Sequence, residues 1–388
     1  MNKRWVKFPE VLFFQEGPGV RNTQYTSEGV KLINVANLVN GKVNISNSDR
    51  FISRDEAYGK YKHFLCDNGD FIVASSGIKV EYIDKKMGFI DKSMLPLCMN
   101  TSTIRFKVLN SKELNIRYFM YYLKSRHFKL QLAKQITGSA QLNYGPSHLK
   151  DMTLPMTDIS IQNNIVNILD KIQNIINISE IMLEKLDKLV RARFVEMFGD
   201  LKNTIRLGDC CKVHARIGWQ ALTRDEHMKT GEYMLVTGTD FIDGKINYNT
   251  CVYVTKERYE MDPHIILRDN DILITKDGSI GKVAIIHNLS KPATLNSGVF
   301  VVRPKDIFNK EYISGVFRGP LFEKFIELSK TGATIKHLNQ KHLVEFRIPL
   351  PTLEKQEVFA GFSNKVNKSK LLAASQPQIH IYKTLTLL

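Results

Sequence analysis

The residues of this chain best suited to chemistry lie in short runs where glycine is mixed with amide, hydroxyl and charged side chains. In the first half these are Arg21-Asn22-Thr23-Gln24 behind Gly17-Pro18-Gly19, Ser75-Ser76-Gly77-Ile78-Lys79, and Thr137-Gly138-Ser139-Ala140-Gln141-Leu142-Asn143. The second half offers Arg216-Ile217-Gly218-Trp219-Gln220, Lys276-Asp277-Gly278-Ser279, and Thr331-Gly332-Ala333-Thr334-Ile335-Lys336-His337. Glycine lets the backbone approach a ligand closely, and Arg, Asn and Gln offer directed, two-pronged hydrogen bonds. This is the chemistry of recognition rather than of bond making. Any one of these loops reads more simply as an ordinary solvated turn. The Thr-Gly loops gain weight because they recur at matched positions in both halves. Trp219 and Tyr144 each stand beside a glycine, where an aromatic ring serves either as a lid on the core or as a stacking group. His148 and His342, also at matched positions, read as structural hydrogen-bonding groups.

Bond-making motifs are missing. There is no Pro-Pro pair for the (Asp/Asn/Ser)-Pro-Pro-aromatic motif of amino-group DNA methyltransferases, and no Glu-x-Lys for a restriction-type nuclease. The only G-x-G, Gly17-Pro18-Gly19, lacks the third glycine of a nucleotide fingerprint. Gly278-Ser279-Ile280-Gly281-Lys282 is too short for a phosphate loop and continues with Val283. The ten histidines and five cysteines form no metal-ligand spacing and no C-x-x-C pair, so neither a structural metal nor a disulfide framework is expected.

The elements that must position these loops show up as a repeat. Lys31-Leu32-Ile33-Asn34 through Asn40-Gly41-Lys42-Val43-Asn44 aligns with Met234-Leu235-Val236-Thr237 through Asp243-Gly244-Lys245-Ile246-Asn247. Both read as a strand, a loop and a hairpin turning at Asn-Gly or Asp-Gly. Gly69-Asp70-Phe71-Ile72-Val73-Ala74 matches Asn270-Asp271-Ile272-Leu273-Ile274-Thr275, a buried strand running into a polar glycine turn. At a constant offset of 194, Thr137-Gly138, His148-Leu149, Pro155 and Gln162 correspond to Thr331-Gly332, His342-Leu343, Pro349 and Gln356. Ordered matches of this kind indicate a tandem duplication of one large unit.

Between the copies, Ile161 to Phe198 contains neither Gly nor Pro. Apolar residues recur at Ile165, Ile168 or Leu169, Ile172, Ile175 or Ile176, Met182 or Leu183, Leu186, and Leu189 or Val190, a heptad pattern interrupted at Ser179. The pattern predicts a long helix with Asp158 or Ser160 at its start and Gly199 at its stop. Its apolar stripe needs a second helix, and the repeat supplies one from Leu353 to Ala374, with Thr352 as N-cap. Gly361 weakens that helix and Pro377 is expected to end it.

The formal charge of +16 follows the same division. Residues 1–160 hold 23 Lys and Arg against 14 Asp and Glu, residues 161–200 hold 5 against 6, and residues 201–388 hold 27 against 19. Two basic blocks flank a neutral segment, which points to two similar polyanion-facing surfaces. No apolar run approaches a membrane span, and the N-terminus carries no secretory pattern, so a cytoplasmic protein with reduced thiols is expected.

In this order of parts the chain resembles the specificity subunits of type I restriction-modification systems. The resemblance rests on Thr137-Gly138-Ser139 to Pro155 followed by Gln162, and on Lys188-Leu189-Val190-Arg191-Ala192-Arg193-Phe194 leading to Gly199-Asp200. The restart Ile205-Arg206-Leu207-Gly208-Asp209 and the passage Lys291 to Gly298 extend it. It implies a mixed α/β protein with two tandem target-recognition domains, residues 1–158 and 201–351. Each is followed by a helix, residues 159–200 and 352–388, the second expected to be short with an atypical tail, and the helices pair as an antiparallel coiled coil. It further implies a non-catalytic chain that reads a bipartite, asymmetric site on double-stranded DNA. Two methyltransferase subunits and the restriction subunits would bind it and would carry S-adenosylmethionine, ATP and magnesium. The glycine-polar loops would then contact base edges, with other Lys and Arg on phosphates. Two other readings remain at this stage. One is a basic scaffold that binds nucleic acid without sequence preference, and the other is the recognition part of a self-contained restriction enzyme.

Overall fold

A computed structural model describes residues 4–135, 142–217, 222–242, 244–305, 308–331 and 338–385. The chain divides into two compact units, Met1–Ile176 with Pro377–Leu388, and Asn177–Gln376.

In the first unit, Leu12–Glu16, Thr103–Val108, Phe71–Ala74 and Met87–Phe89 form a four-stranded antiparallel sheet in that order. Every residue of Phe71–Ala74 is buried, so this central strand is covered on both faces. A smaller mixed sheet sets Val30–Ile33 parallel to Leu97–Met99 and antiparallel to Phe51–Ile52. The unit closes where Arg4–Lys7 pairs with Thr153–Met156. Helices Ile116–Lys124 and Arg126–Gln135 bring Phe119 and Phe128 against Phe8, with Phe71 and Phe106 also meeting Phe119.

The second unit repeats the plan. Cys211–Ala215, Val299–Pro304, Ile272–Thr275 and Val283–Ile285 stand in the same sheet order, extended here by Lys245–Ile246 and Phe241–Ile242. Tyr233–Val236 runs parallel to Ala293–Leu295 and antiparallel to Val252–Val254, and Thr204–Arg206 closes on Arg347–Pro349. The expected hairpins form in both units. In the first, Asn40 and Gly41 take φ of 49° and 77°, the left-handed pair a two-residue turn requires.

Polar cores repeat as well. Asp70 pairs at 3.1 Å with Arg105, whose guanidinium also donates to the carbonyls of Leu65 and His63. Asp271 takes two bonds of 2.7 Å from Arg303, which donates to the carbonyls of Ile266 and His264. The two glutamines that marked the repeat have one job. Gln162 accepts from Asn115 N–H and donates to the carbonyls of Glu113 and Thr157, while Gln356 accepts from Asn309 N–H and donates to the Pro351 carbonyl. Each fastens the start of a long helix to the segment before an earlier helix. Tyr118 and Tyr312 complete the lock by donating to the carbonyls of Pro155 and Pro349.

The long helices are Ile159–Phe198, entered from Asp158, and Leu353–Leu385, where Thr352 Oγ1 accepts from Lys355 N–H. They pack together within the second unit. Phe194 and Phe198 meet Phe359 at ring distances of 5.4 and 5.7 Å, Arg193 lies over Phe362, and Asp187 pairs with Lys370. As residue number rises on one helix it falls on the other, so the pair is antiparallel. Gly315 fits beneath this contact, since a Cβ there would fall 2.7 Å from Phe194 and 2.8 Å from Phe359.

One expectation is corrected: Pro377 does not end the second helix, which continues to Leu385. Proline fits helical φ; it loses its own N–H bond and crowds the carbonyl four residues back, yet the bonds on either side can carry a helix across it.

Candidate nucleic-acid interface

The loop after the buried strand Phe71–Ala74 is the best defined part of the first interface. Gly77 sits at φ 73° with open space where a Cβ would stand, and Ser76–Ile78 pairs with Leu142–Asn143 so that Asn143 faces Ser76. Ser76, Lys79 and Asn143 thus come from one turn and one two-stranded ribbon, with Lys79 and Asn143 exposed. Ser75 is corrected from a candidate contact to a support. It is buried, its hydroxyl donates to the Thr101 carbonyl, and its backbone bonds Ser102 and Tyr144.

Tyr144 is likewise a core lid. Its hydroxyl donates to the Ala74 carbonyl at 3.0 Å, and burial drives its phenol well above the ordinary range. His148 Nδ1 accepts from Gly145 N–H, the structural role expected, whereas His342 is exposed. Beside this ribbon lies Glu16, which sequence reasoning passed over. Burial raises its pKa, and the neighbouring Ser75 side chain partly offsets that rise.

The Arg21–Gln24 candidates lie beside the smaller sheet, where the flanking Val20 and Tyr25 pack with Val30, Leu32 and Ile52. Asn22–Gln24 is a single 3-10 turn, and Gln24 is engaged internally, donating to Glu56 at 2.6 Å and to the Tyr61 hydroxyl. Arg21, Asn22 and Thr23 are exposed.

In the second unit Lys276 and Asp277 occupy the matching turn, with Gly278 at φ 66°. The Lys276 backbone is fixed on both sides, donating to the Gly298 carbonyl and accepting from Leu338 N–H, and its ammonium lies over the Phe300 ring. Arg216 is corrected outright. It is 1% exposed, with Nε donating to the Leu295 carbonyl and an Nη donating to Thr294 Oγ1, so it staples two strands together. Burial lowers its pKa, and the nearby Arg258 adds to that.

Thr137, Gly138, Ser139 and Gln141, then Gly218, Trp219 and Gln220, then Gly332, Thr334, Lys336 and His337 lie outside the described residues, as does the Thr331 side chain. Among the described residues no cluster of His, Cys, Asp and Glu could hold a metal ion, and no helix is long and apolar enough to cross a membrane.

A turn that repeated passages share but sequence reasoning left unexplained is Asn100-Thr101 and Asn296-Ser297. Each asparagine side chain accepts from the next residue's N–H, at 2.8 and 2.6 Å. The position of Asn296 within the Lys291–Gly298 passage was the available signal.

Comparison with known proteins gives the same division. The family model described as the type I restriction modification DNA specificity domain matches residues 21–188 and again 200–378. The putative type I restriction enzyme MjaX specificity subunit of Methanocaldococcus jannaschii is 26% identical over 277 residues. That stretch is 65% of this chain but only 61% of the relative, so the match spans about three fifths of the relative's length. The MjaIX specificity subunit of the same organism is 34% identical over 89 residues, 23% of this chain and 20% of that one. Among solved structures, the type I restriction-modification S subunit from M. genitalium superposes with a TM-score of 0.55 at 15% identity, covering 100% of this chain and 95% of the other. A chain from a structure of type I system assembly and conformational transition gives 0.57 at 15% identity, covering 99% and 96%. These two show a shared fold. With the family model matched twice across most of its length, the chain belongs to the type I restriction-modification DNA specificity family.

Proposed function

We propose that this chain reads a bipartite, asymmetric site on double-stranded DNA and delivers it to methylating and cleaving subunits. Residues 1–158 and 201–351 serve as the two reading modules, one for each half of the site. The observation that carries this reading is the repeated turn itself. One scaffold, locked by matched Asp-Arg and Gln pairs, presents Ser76, Lys79 and Asn143 in one module and Lys276 and Asp277 in the other. A rigid frame with different side chains at equivalent positions is what base-edge readout of two unlike half-sites requires. The Thr-Gly loops 137–141 and 331–337, the run 216–220 without Arg216, and Arg21 to Thr23 belong to the proposed contact set.

The partners are two methyltransferase subunits and the restriction subunits, which hold S-adenosylmethionine, ATP and magnesium, and the assembly works in the cytoplasm. The long helix supports a docking role. Ile168, Ile175, Met182 and Leu189 recur every seven residues with 51%, 43%, 47% and 47% of their surface exposed. They form an apolar stripe along one face of this helix, of a kind that a helix with no further partner fills with charge.

Co-expression with the methyltransferase of its own system, followed by genome-wide mapping of methylated adenine, tests the reading. A motif of two short, unlike halves separated by unspecified bases is expected. Methylation patterns identical with and without this chain would refute it.

A further inference from the structure

The two units differ most where the buried central strand returns to its neighbour. Twelve residues, 75–86, link Phe71–Ala74 to Met87–Phe89, whereas seven, 276–282, link Ile272–Thr275 to Val283–Ile285. The extra length in the first unit is the 3-10 segment Val80–Lys85. It is firmly seated. Ile83 is fully buried, the Lys85 carbonyl accepts from Gly41 N–H, and Lys129 bonds both the Glu81 carbonyl and the Asp84 carboxylate.

This segment walls an open groove of about 430 Å³. Lys79, Tyr82, Lys85 and Lys86 line it together with Val39, Asn40, Gly77 and Ile78, and no carboxylate is among them. Tyr82 is 51% exposed, with the Lys85 ammonium 5.5 Å from its ring centre. The Lys86 ammonium donates one bond to the Val35 carbonyl. No ion pair engages Lys79 or Lys85 among the described residues. The one carboxylate of the segment that turns inward, Asp84, is neutralised by Lys129.

We propose that this groove is a DNA-backbone subsite of the first module: Lys85 and Lys86 take phosphates, Lys79 joins them to the base-reading ribbon, and Tyr82 lays its ring against the sugar between the phosphates. The inference rests on the DNA-reading function proposed above and extends it. Continuity favours duplex DNA as the occupant, because Gly77 and Ile78 line the groove and belong to the ribbon that carries Ser76 and Asn143. Three cations without a carboxylate suit a polyanion, and an exposed ring among them suits the apolar face of a backbone sugar. The second module's shorter turn has no such wall, so the first module covers the longer stretch of DNA. Phosphate contacts add affinity without sequence information, and the groove therefore strengthens binding without lengthening the motif.

The test uses the chain assembled with its methyltransferase. Binding to a duplex that carries the mapped motif is measured over a range of salt, for the unaltered chain, the double variant Lys85→Gln/Lys86→Gln, and Tyr82→Ala with Tyr82→Phe. The double variant is expected to flatten the slope of log K against log salt by about 2, roughly 0.9 for each phosphate no longer neutralised. Tyr82→Ala is expected to weaken binding several-fold through the lost contact with the sugar, with Tyr82→Phe close to the unaltered chain. The methylation motif should stay the same in all variants. A motif from the unaltered chain combined with an unchanged salt slope in the double variant overturns the groove and leaves the function standing. An unaltered chain that imposes no motif overturns both.

Discussion

Replacing Asp271 with alanine removes the acceptor around which the second unit's polar core is arranged. Asp271 is 5% exposed and accepts two bonds of 2.7 Å from Arg303, and its Oδ2 also accepts from Arg268 N–H at 2.9 Å. The side chain of Arg303 is 19% exposed, too little for water to replace the lost carboxylate fully. Breaking one side of a buried pair costs about 3–5 kcal/mol. Arg303 keeps its bonds to the carbonyls of His264 and Ile266, which places the expected cost near the lower end, about 3 kcal/mol. For a unit of about 200 residues this corresponds to a fall in Tm of about 6–12 °C, read by scanning calorimetry. Asp271→Asn keeps one acceptor for Arg303 or Arg268 and should lose about half as much. A loss below about 1 kcal/mol for Asp271→Ala, the range of exposed pairs, would refute the idea that this carboxylate holds the fold together.

Further expectations follow from the same geometry. Gln162→Ala frees the Asn115 N–H and two carbonyls at the start of the long helix, and chemical denaturation should show a loss of about 2 kcal/mol. Phe359→Ala empties the ring cluster with Phe194 and Phe198 and should cost about 3–5 kcal/mol, with a greater loss of co-purifying methyltransferase than Gln162→Ala. His214, stacked on His264 at 4.8 Å, has its pKa lowered first by burial and then by His264 and Arg303. The folded state therefore resists taking up a proton that the unfolded chain accepts. Stability from this site is full above the ordinary histidine value and is lost as pH falls from there to the depressed folded value. His214→Gln should flatten the Tm-against-pH curve across that acid window. Burial pushes the Cys66 thiol up to about 12, so labelling by a thiol reagent at pH 8 should proceed only on unfolding.

The repeat was legible because the positions that build the frame tolerate few alternatives. Gln162 and Gln356 must both accept from a backbone N–H and donate to carbonyls, and only an amide does both at that reach. The hairpins were legible for a similar reason, since Asn40-Gly41 takes a left-handed pair that few residues accept. Contact roles were less legible. Arg216 and Ser75 have the composition of recognition residues, yet long-range packing against Leu295, Thr294 and Thr101 turns them inward, and no local pattern encodes that. Tyr82 and Lys85 were missed for the opposite reason. They lie in an insertion without a counterpart, so a search guided by matching halves passes over them. Pro377 was over-read as a stop because local propensity takes no account of the bonds on either side of it.

The claim at the centre is that each module reads its own half of the site, and the most direct measurement is methylation mapping after altering one module at a time. Ser76→Ala/Lys79→Ala/Asn143→Ala should relax or change bases in one half only, and Lys276→Ala/Asp277→Ala bases in the other half only. Changes spread over both halves by either set, or an unchanged motif with both sets, would contradict it.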